Sequence, residues 1–197
     1  SIYFGLGGFN TFQVGSGASP VLMGGSGDST YNIGYINDSF TIVYEDGNSP
    51  SDTIFGGLDV NSPAPARATV DGRHLLLGDA IANRYVLVID WQQPANRIET
   101  WMLGGLPMVS YSQFVQAVAA ANPVNIGYDV FPAESGLTAA YVNEMLAYYA
   151  AREARLASNM PPLVAAINAA VRSGSSIPLA SLFQASDPDG DPIVRYE

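Results

Sequence analysis

The sequence predicts a mainly β fold with some helix. It would comprise a degenerate parallel β-roll, an antiparallel β meander, two helices and the start of a β-sandwich-like module. Three observations carry this. Residues 6–32 divide into three nine-residue units, LGGFNTFQV, GSGASPVLM and GGSGDSTYN. A glycine-rich nonapeptide period is a signature of the parallel β-roll, in which a turn is followed by a short strand. Residues 67–103 then hold four apolar, β-branched or aromatic runs, and residues 110–156 switch to helical spacing.

Within residues 1–60 each apolar run is too short for a helix, and glycines interrupt any 3.6-residue period. Short stacked strands are expected near Thr11–Val14, Val21–Met23, Tyr31–Tyr35, Phe40–Tyr44 and Thr53–Phe55. The stretch 61–66, NSPAPA, reads as a linker. RATV, HLLLG, YVLVIDW and RIETWML follow as a meander over residues 61–109. Asp71-Gly72 is a hairpin signal between the first two, and QQPAN is a longer loop between the last two. Such a meander is expected to cover the end of the roll, because a stacked roll ends in unpaired backbone and exposed core.

The helical segment spans 110–158. Phe114, Val115, Val118 and Ala121 share one face of its first helix, Ser110 or Ser112 caps the start, and Asn122-Pro123 stops it. A second helix is expected over Leu137–Leu156, with Tyr141, Met145, Tyr148, Tyr149 and Arg152 along its apolar stripe. Residues 159–197 begin a further β module. Composition would allow a helix at Leu163–Arg172, but the proline pair before it and Gly174 after it favour extended chain. The first residues read as the middle of a strand and the last as a strand cut in progress. That predicts a chain that is part of something longer.

Bulk composition narrows the function. Of 197 residues, 48 % are hydrophobic and only 13 % charged, with a formal net charge of −10. An acidic surface of this kind argues against nucleic acid, whose phosphates need Lys and Arg. It suits cations. With no cysteine there are no disulfides, thiolate metal sites or cysteine nucleophiles. No run of eighteen apolar residues exists, so no transmembrane segment is expected.

Asp187, Asp189 and Asp191 alternate around Pro188 and Gly190. Three carboxylates within so short a turn repel one another unless a cation or water screens them. Their spacing could curl hard oxygens around one calcium ion. An ordinary solvated Asp-Gly turn is the competing reading.

The unit GGSGDSTYN followed by SFTIVYEDGNSPSDTIF resembles the haemolysin-type, or RTX, calcium-binding repeat proteins exported by type I secretion. In these a GGxGxDxUx unit precedes strands ending in a D-T-[VI] step, which Asp52-Thr53-Ile54 matches. TVDGRHLLL, YVLVIDW, NRIETWML and YSQFVQAVAA resemble the domain that often follows such repeats. SIPLASLFQASDPDGDPIVRY resembles the opening of another module found in these large proteins. The resemblance implies calcium, secretion and an extracellular or cell-surface location. The sequence departs from the family where it matters most. The place of the calcium carboxylate is Ser29 in the third unit, and Asp28, one place early, is the carboxylate that remains.

Catalytic constellations fail. The single His74 sits in HLLL and reads as a surface or strand-edge residue. The G-x-S-x-G elbow and the P-loop lysine are absent. Asp90 and Glu99 form a carboxylate pair on strands expected to be adjacent, but both read as solvent-facing. Trp91 and Trp101 read as core or cross-strand packing, with a sugar-stacking platform as the alternative. The expected function is therefore a non-catalytic structural module of a secreted or cell-surface bacterial protein, with calcium-assisted folding. The alternative is an adhesin or self-assembling surface or filament unit that binds a glycan or other copies through exposed aromatics.

Overall fold

A computed structural model describes residues 1–5, 8–15, 19–25, 27–34, 39–46, 49, 51–56, 68–79, 84–104, 107–131, 136–159, 163–166, 174 and 183–188. The fold is mostly strand, arranged mainly in two mixed sheets, with two helices. The chain forms two compact units, Ser1–Ala139 and Ala140–Glu197.

In the first unit the chain is laid alternately into two sheets. β1 (Ile2–Phe4), β3 (Val21–Met23) and β5 (Ser39–Tyr44) go to one sheet, and β2 (Asn10–Gln13), β4 (Ser29–Asn32) and β6 (Thr53–Gly56) go to the other. β1 pairs with β3, β3 with β5, β2 with β4 and β4 with β6, all in parallel. Each strand therefore lies beside the one before last. A hydrophobic side chain facing inward stacks on its counterpart one coil away. Phe12, Tyr31 and Ile54 share one register row, and the Phe12 and Tyr31 rings stack at 5.2 Å.

The glycines follow from this stacking. A Cβ on Gly27 would overlap the backbone of Gly8 one turn away, and one on Gly5 would overlap the carbonyl of Gly24. Successive turns lie too close for side chains at these points.

β7 (Ala68–Val70), β8 (His74–Asp79) and β9 (Arg84–Val88) then form two antiparallel hairpins. Asp71 and Gly72 both hold the positive φ that the predicted tight turn requires. The expected fourth strand does not join this meander. β10 (Thr100–Leu103) crosses to the second sheet and pairs in parallel with β6, while β9 pairs in parallel with β5. The connection between them carries Ile89, Trp91 and Ile98 into the interior, and Asn96 donates its amide to the Glu45 carbonyl. Burying those apolar side chains is what draws the chain across.

β11 (Val109–Ser110) pairs antiparallel with β10, and β12 (Val124–Ile126) pairs in parallel with β7. The seven-stranded sheet has the order β1-β3-β5-β9-β8-β7-β12, and the five-stranded sheet β11-β10-β6-β4-β2. Between them α1 (Tyr111–Ala120) starts at Ser110, whose hydroxyl and Gln113 form a reciprocal capping box. Phe114 of α1 stacks on Trp101 at 3.9 Å and meets Trp91 edge-on, closing that end of the core. Of the predicted α1 face, Phe114 and Val118 are buried, Val115 is partly buried and Ala121 is exposed.

The second unit holds α2 (Ala139–Ser158), which opens at the division, and an antiparallel pair, β13 (Leu163–Ala166) with β14 (Phe183–Ser186). The predicted α2 stripe is rotated by about one residue. Val142, Met145 and Tyr149 are buried, whereas Tyr141 and Tyr148 are exposed. Leu163–Ala166 is extended, as the flanking prolines and glycine favour. The 61–66 linker and the 193–197 strand lie outside the described residues.

Candidate functional site

The connections 5–9, 24–28, 45–52 and 89–99 all lead from the first sheet to the second, so the described residues at their ends stack at one edge of the winding. Four strands of the second sheet begin at the first or second residue of related tripeptides, NTF, STY, DTI and ETW. Their threonines Thr11, Thr30, Thr53 and Thr100 share one register row. One position earlier the parallel register places Asn10, Ser29, Asp52 and Glu99 in a column.

Three members of that column are joined through carboxylates. The Ser29 backbone N–H donates to Asp52 Oδ1 at 2.7 Å, and the Asp52 backbone N–H donates to Glu99 Oε2 at 3.2 Å. Each carboxylate thus receives the amide of the coil before it. Glu99 is steadied from the other side by Arg97, whose Nε donates to Oε1 at 2.9 Å.

Asp52 is fully buried, and its second oxygen, Oδ2, has no hydrogen-bond donor. Burial pushes its carboxyl up to about 7. The Ser29 amide opposes that rise, and the charges of Glu99, Asp28 and Asp46 reinforce it. Asp28 lies beside this group and accepts from the Ser49 hydroxyl. A buried carboxylate oxygen without a donor, flanked by like charge, is costly in water-free surroundings. A cation would relieve it.

Glu45, at the start of the connection that ends in Asp52, is also fully buried. Burial pushes its carboxyl up to about 7, with the Asp52 charge adding to the rise. The Tyr31 hydroxyl, donating to Oε2 at 2.6 Å, and the Asp46 amide, donating to Oε1 at 2.9 Å, work against it. Gly24 faces this carboxylate, and a Cβ there would overlap both oxygens.

The predicted ligands fare unevenly. Asp28 sits within this acidic turn stack. Asp187 is half-buried just after β14, while Asp189 and Asp191 lie outside the described residues. The sequence places Asp52 in the D-T-[VI] step and Glu99 in a carboxylate pair with Asp90, and makes neither a ligand. Their signal was the repeated polar-Thr-apolar tripeptide at each strand start, which a nine-residue period obscures because the coils differ in length. The donors are hard oxygens of the kind calcium takes. Among the described residues no three His, Asp or Glu side chains converge as metal ligands, so backbone carbonyls would have to complete any shell around Asp28 and Asp52.

Other sequence readings are corrected by burial. His74 is 1 % exposed in the interior of its sheet, not at a surface or edge, because β7 and β9 flank β8 on both sides. Its Nδ1 accepts the Asp90 amide at 3.0 Å, and burial lowers its pKa. Asp90 lies in a turn after β9 and binds Arg73 through both carboxylate oxygens, at 3.0 and 2.8 Å. Glu99 precedes a strand of the other sheet, so the two carboxylates are not on adjacent strands. Neither is freely solvent-facing, since both side chains are largely buried. Trp91 and Trp101 are core residues, 3 % and 1 % exposed, and present no ring face to a sugar.

No protein-family model matches the chain, and no curated protein matches it in sequence. Among the described residues no helix is long and apolar enough to cross a membrane.

Proposed function

We propose that this chain is a non-catalytic structural module of the β-roll type, in a secreted or cell-surface bacterial protein, with folding assisted by calcium. The observation that carries the reading is Asp52: fully buried, short of one donor, and set beside Asp28 and Glu99 where consecutive parallel turns stack. Asp28 and Asp52 would hold the ion, and it would neutralise their charge between the second and third turns. The alternating parallel winding supports the β-roll reading. It also supports membership of the calcium-binding repeat class that the sequence resembles. Outside cells calcium is abundant, and binding to the folded form alone would stabilise it by mass action. The glycan-binding alternative loses its tryptophans to the core.

The test is thermal unfolding in excess calcium and in chelator, with calorimetric titration to count ions. A rise in melting temperature with one ion bound per chain at the turn stack supports the reading. Identical melting in both conditions overturns it.

A further inference from the structure

His74 is the chain's one histidine, and the fold buries it where a charge is hard to hold. Leu75 and Leu77 of β8 belong to the core cluster, so His74 lies on the other face of that sheet. Its Nδ1 accepts the Asp90 amide at 3.0 Å, with Asp90 Oδ1 at 3.4 Å. That oxygen already takes Arg73 Nε at 3.0 Å, and Oδ2 takes Arg73 Nη2 at 2.8 Å. A proton on Nδ1 would set donor against donor at the Asp90 amide, beside a guanidinium. Burial and Arg73 hold the ring neutral against the pull of Asp90 and of Asp71. The remaining titratable neighbour is Tyr128, which burial raises to about 12, so it stays neutral as well.

The segment over this ring is lightly held. Tyr128 opens the short 3-10 turn Tyr128–Val130 after β12 and meets His74 edge-on, with ring centres 6.3 Å apart. Ring contacts run on from Tyr128 to Phe131, and from Phe131 to Phe40 of β5. Yet every residue from Val124 to Phe131 is partly or wholly exposed, with Val124 at 68 % and Val130 at 56 %. β12 pairs with β7 over three residues at the edge of its sheet. The Asp71 amide donates to the Ile126 carbonyl at 2.9 Å, and the Gly72 amide to Asn125 Oδ1 at 2.8 Å. So little buried apolar contact marks a segment that opens before the rest of the fold.

We infer that Val124–Phe131 is an acid-released lid over His74, shut while the ring is neutral and lifted when the ring takes a proton. Opening admits water to the imidazolium and frees it from the Asp90 amide. Open, the ring titrates near its ordinary 6.5; shut, it titrates lower. Below about 6.5 each pH unit therefore favours the open form roughly tenfold, until the shut form takes the proton too. Lifting the lid uncovers the outer edge of β7, a row of backbone groups able to pair. The device needs no bound ion.

The test is amide hydrogen exchange on the whole chain, in calcium, from about pH 7.5 to about pH 5, with the intrinsic rate divided out. Protection of the Asp71 and Gly72 amides should fall about tenfold per pH unit below about 6.5, while the Ile33 and Ile42 amides keep theirs. His74→Gln retains an acceptor for the Asp90 amide and takes no proton, so its lid should stay equally protected throughout. Tyr128→Ala strips the ring from above His74. The single imidazole, followed by proton NMR, should then titrate higher than in the parent, near 6.5. Flat protection at Asp71 and Gly72 in the parent overturns the inference. So does an equal fall in His74→Gln, a parallel fall at Ile33 and Ile42, or an imidazole that titrates alike in the parent and in Tyr128→Ala.

Discussion

Replacing Asp52 by Asn keeps the side-chain shape and the oxygen that accepts the Ser29 amide, but removes the charge. In the folded chain this carboxyl is pushed up to about 7 from an ordinary 3.8, first by burial and then by its acidic neighbours. Each pKa unit corresponds to about 1.4 kcal/mol. A rise of roughly three units therefore destabilises the fold by at most about 4 kcal/mol at pH 8, where the group is ionised in both states. The new amide must donate to Glu99 or Asp28, and imperfect pairing there costs about 1–3 kcal/mol. The net expectation in chelator is a gain of about 1–3 kcal/mol, or a rise in melting temperature of about 3–10 °C. Because calcium affinity depends on ligand charge, the calcium-induced rise should largely vanish in the same variant. Paired thermal melts of both proteins, with calcium and with chelator, read both effects. An Asn variant that melts lower than the parent in chelator and keeps the full calcium shift would refute the reasoning. It would show Asp52 to be a hydrogen-bonding post in the column and nothing more.

Three other outcomes are expected. Gly24→Ala should cost about 1–3 kcal/mol by overpacking, since its Cβ overlaps the Glu45 carboxylate, and chemical denaturation measures it. Trp101→Ala should cost about 3–5 kcal/mol, because it opens a cavity beneath Phe114; a smaller loss would mean that α1 collapses into the space. In chelator the fold should gain stability as pH falls through about 7, because Glu45 and Asp52 bind protons more readily folded than unfolded. His74 acts in the opposite sense. Its lowered folded pKa means that protonation of the unfolded chain below about 6.5 erodes stability, so a His74→Gln variant should show a steeper gain on acidification.

Much of the local structure was legible. Short apolar runs between glycine-rich turns set most strand positions in the first third to within a residue or two, and the apolar face of Phe114, Val115 and Val118 after a capping serine announced α1, with the structure choosing Ser110 over Ser112. Those signals are local: a turn residue, a cap, a period of two or 3.6. The α2 stripe was read from tyrosines, but helical spacing allows two neighbouring faces. Burial selected Val142, Met145 and Tyr149 over Tyr141 and Tyr148.

The sequence by itself determined the main element types, the acidic character and the glycine-rich turns between strands; that Gly5 and Gly27 are needed because turns stack closely came from the structure. What only the tertiary structure decided was partnership. Parallel pairing joins strands separated by a whole coil, so no adjacent residues reveal that Ser29, Asp52 and Glu99 form one column. The same holds for β10, whose run looked like a fourth meander strand. Its place in the other sheet follows from burying Trp91, Ile98 and Trp101 together, a packing choice made by residues far apart in the chain. Register, which converts scattered carboxylates into a candidate site, exists only once the coils are stacked.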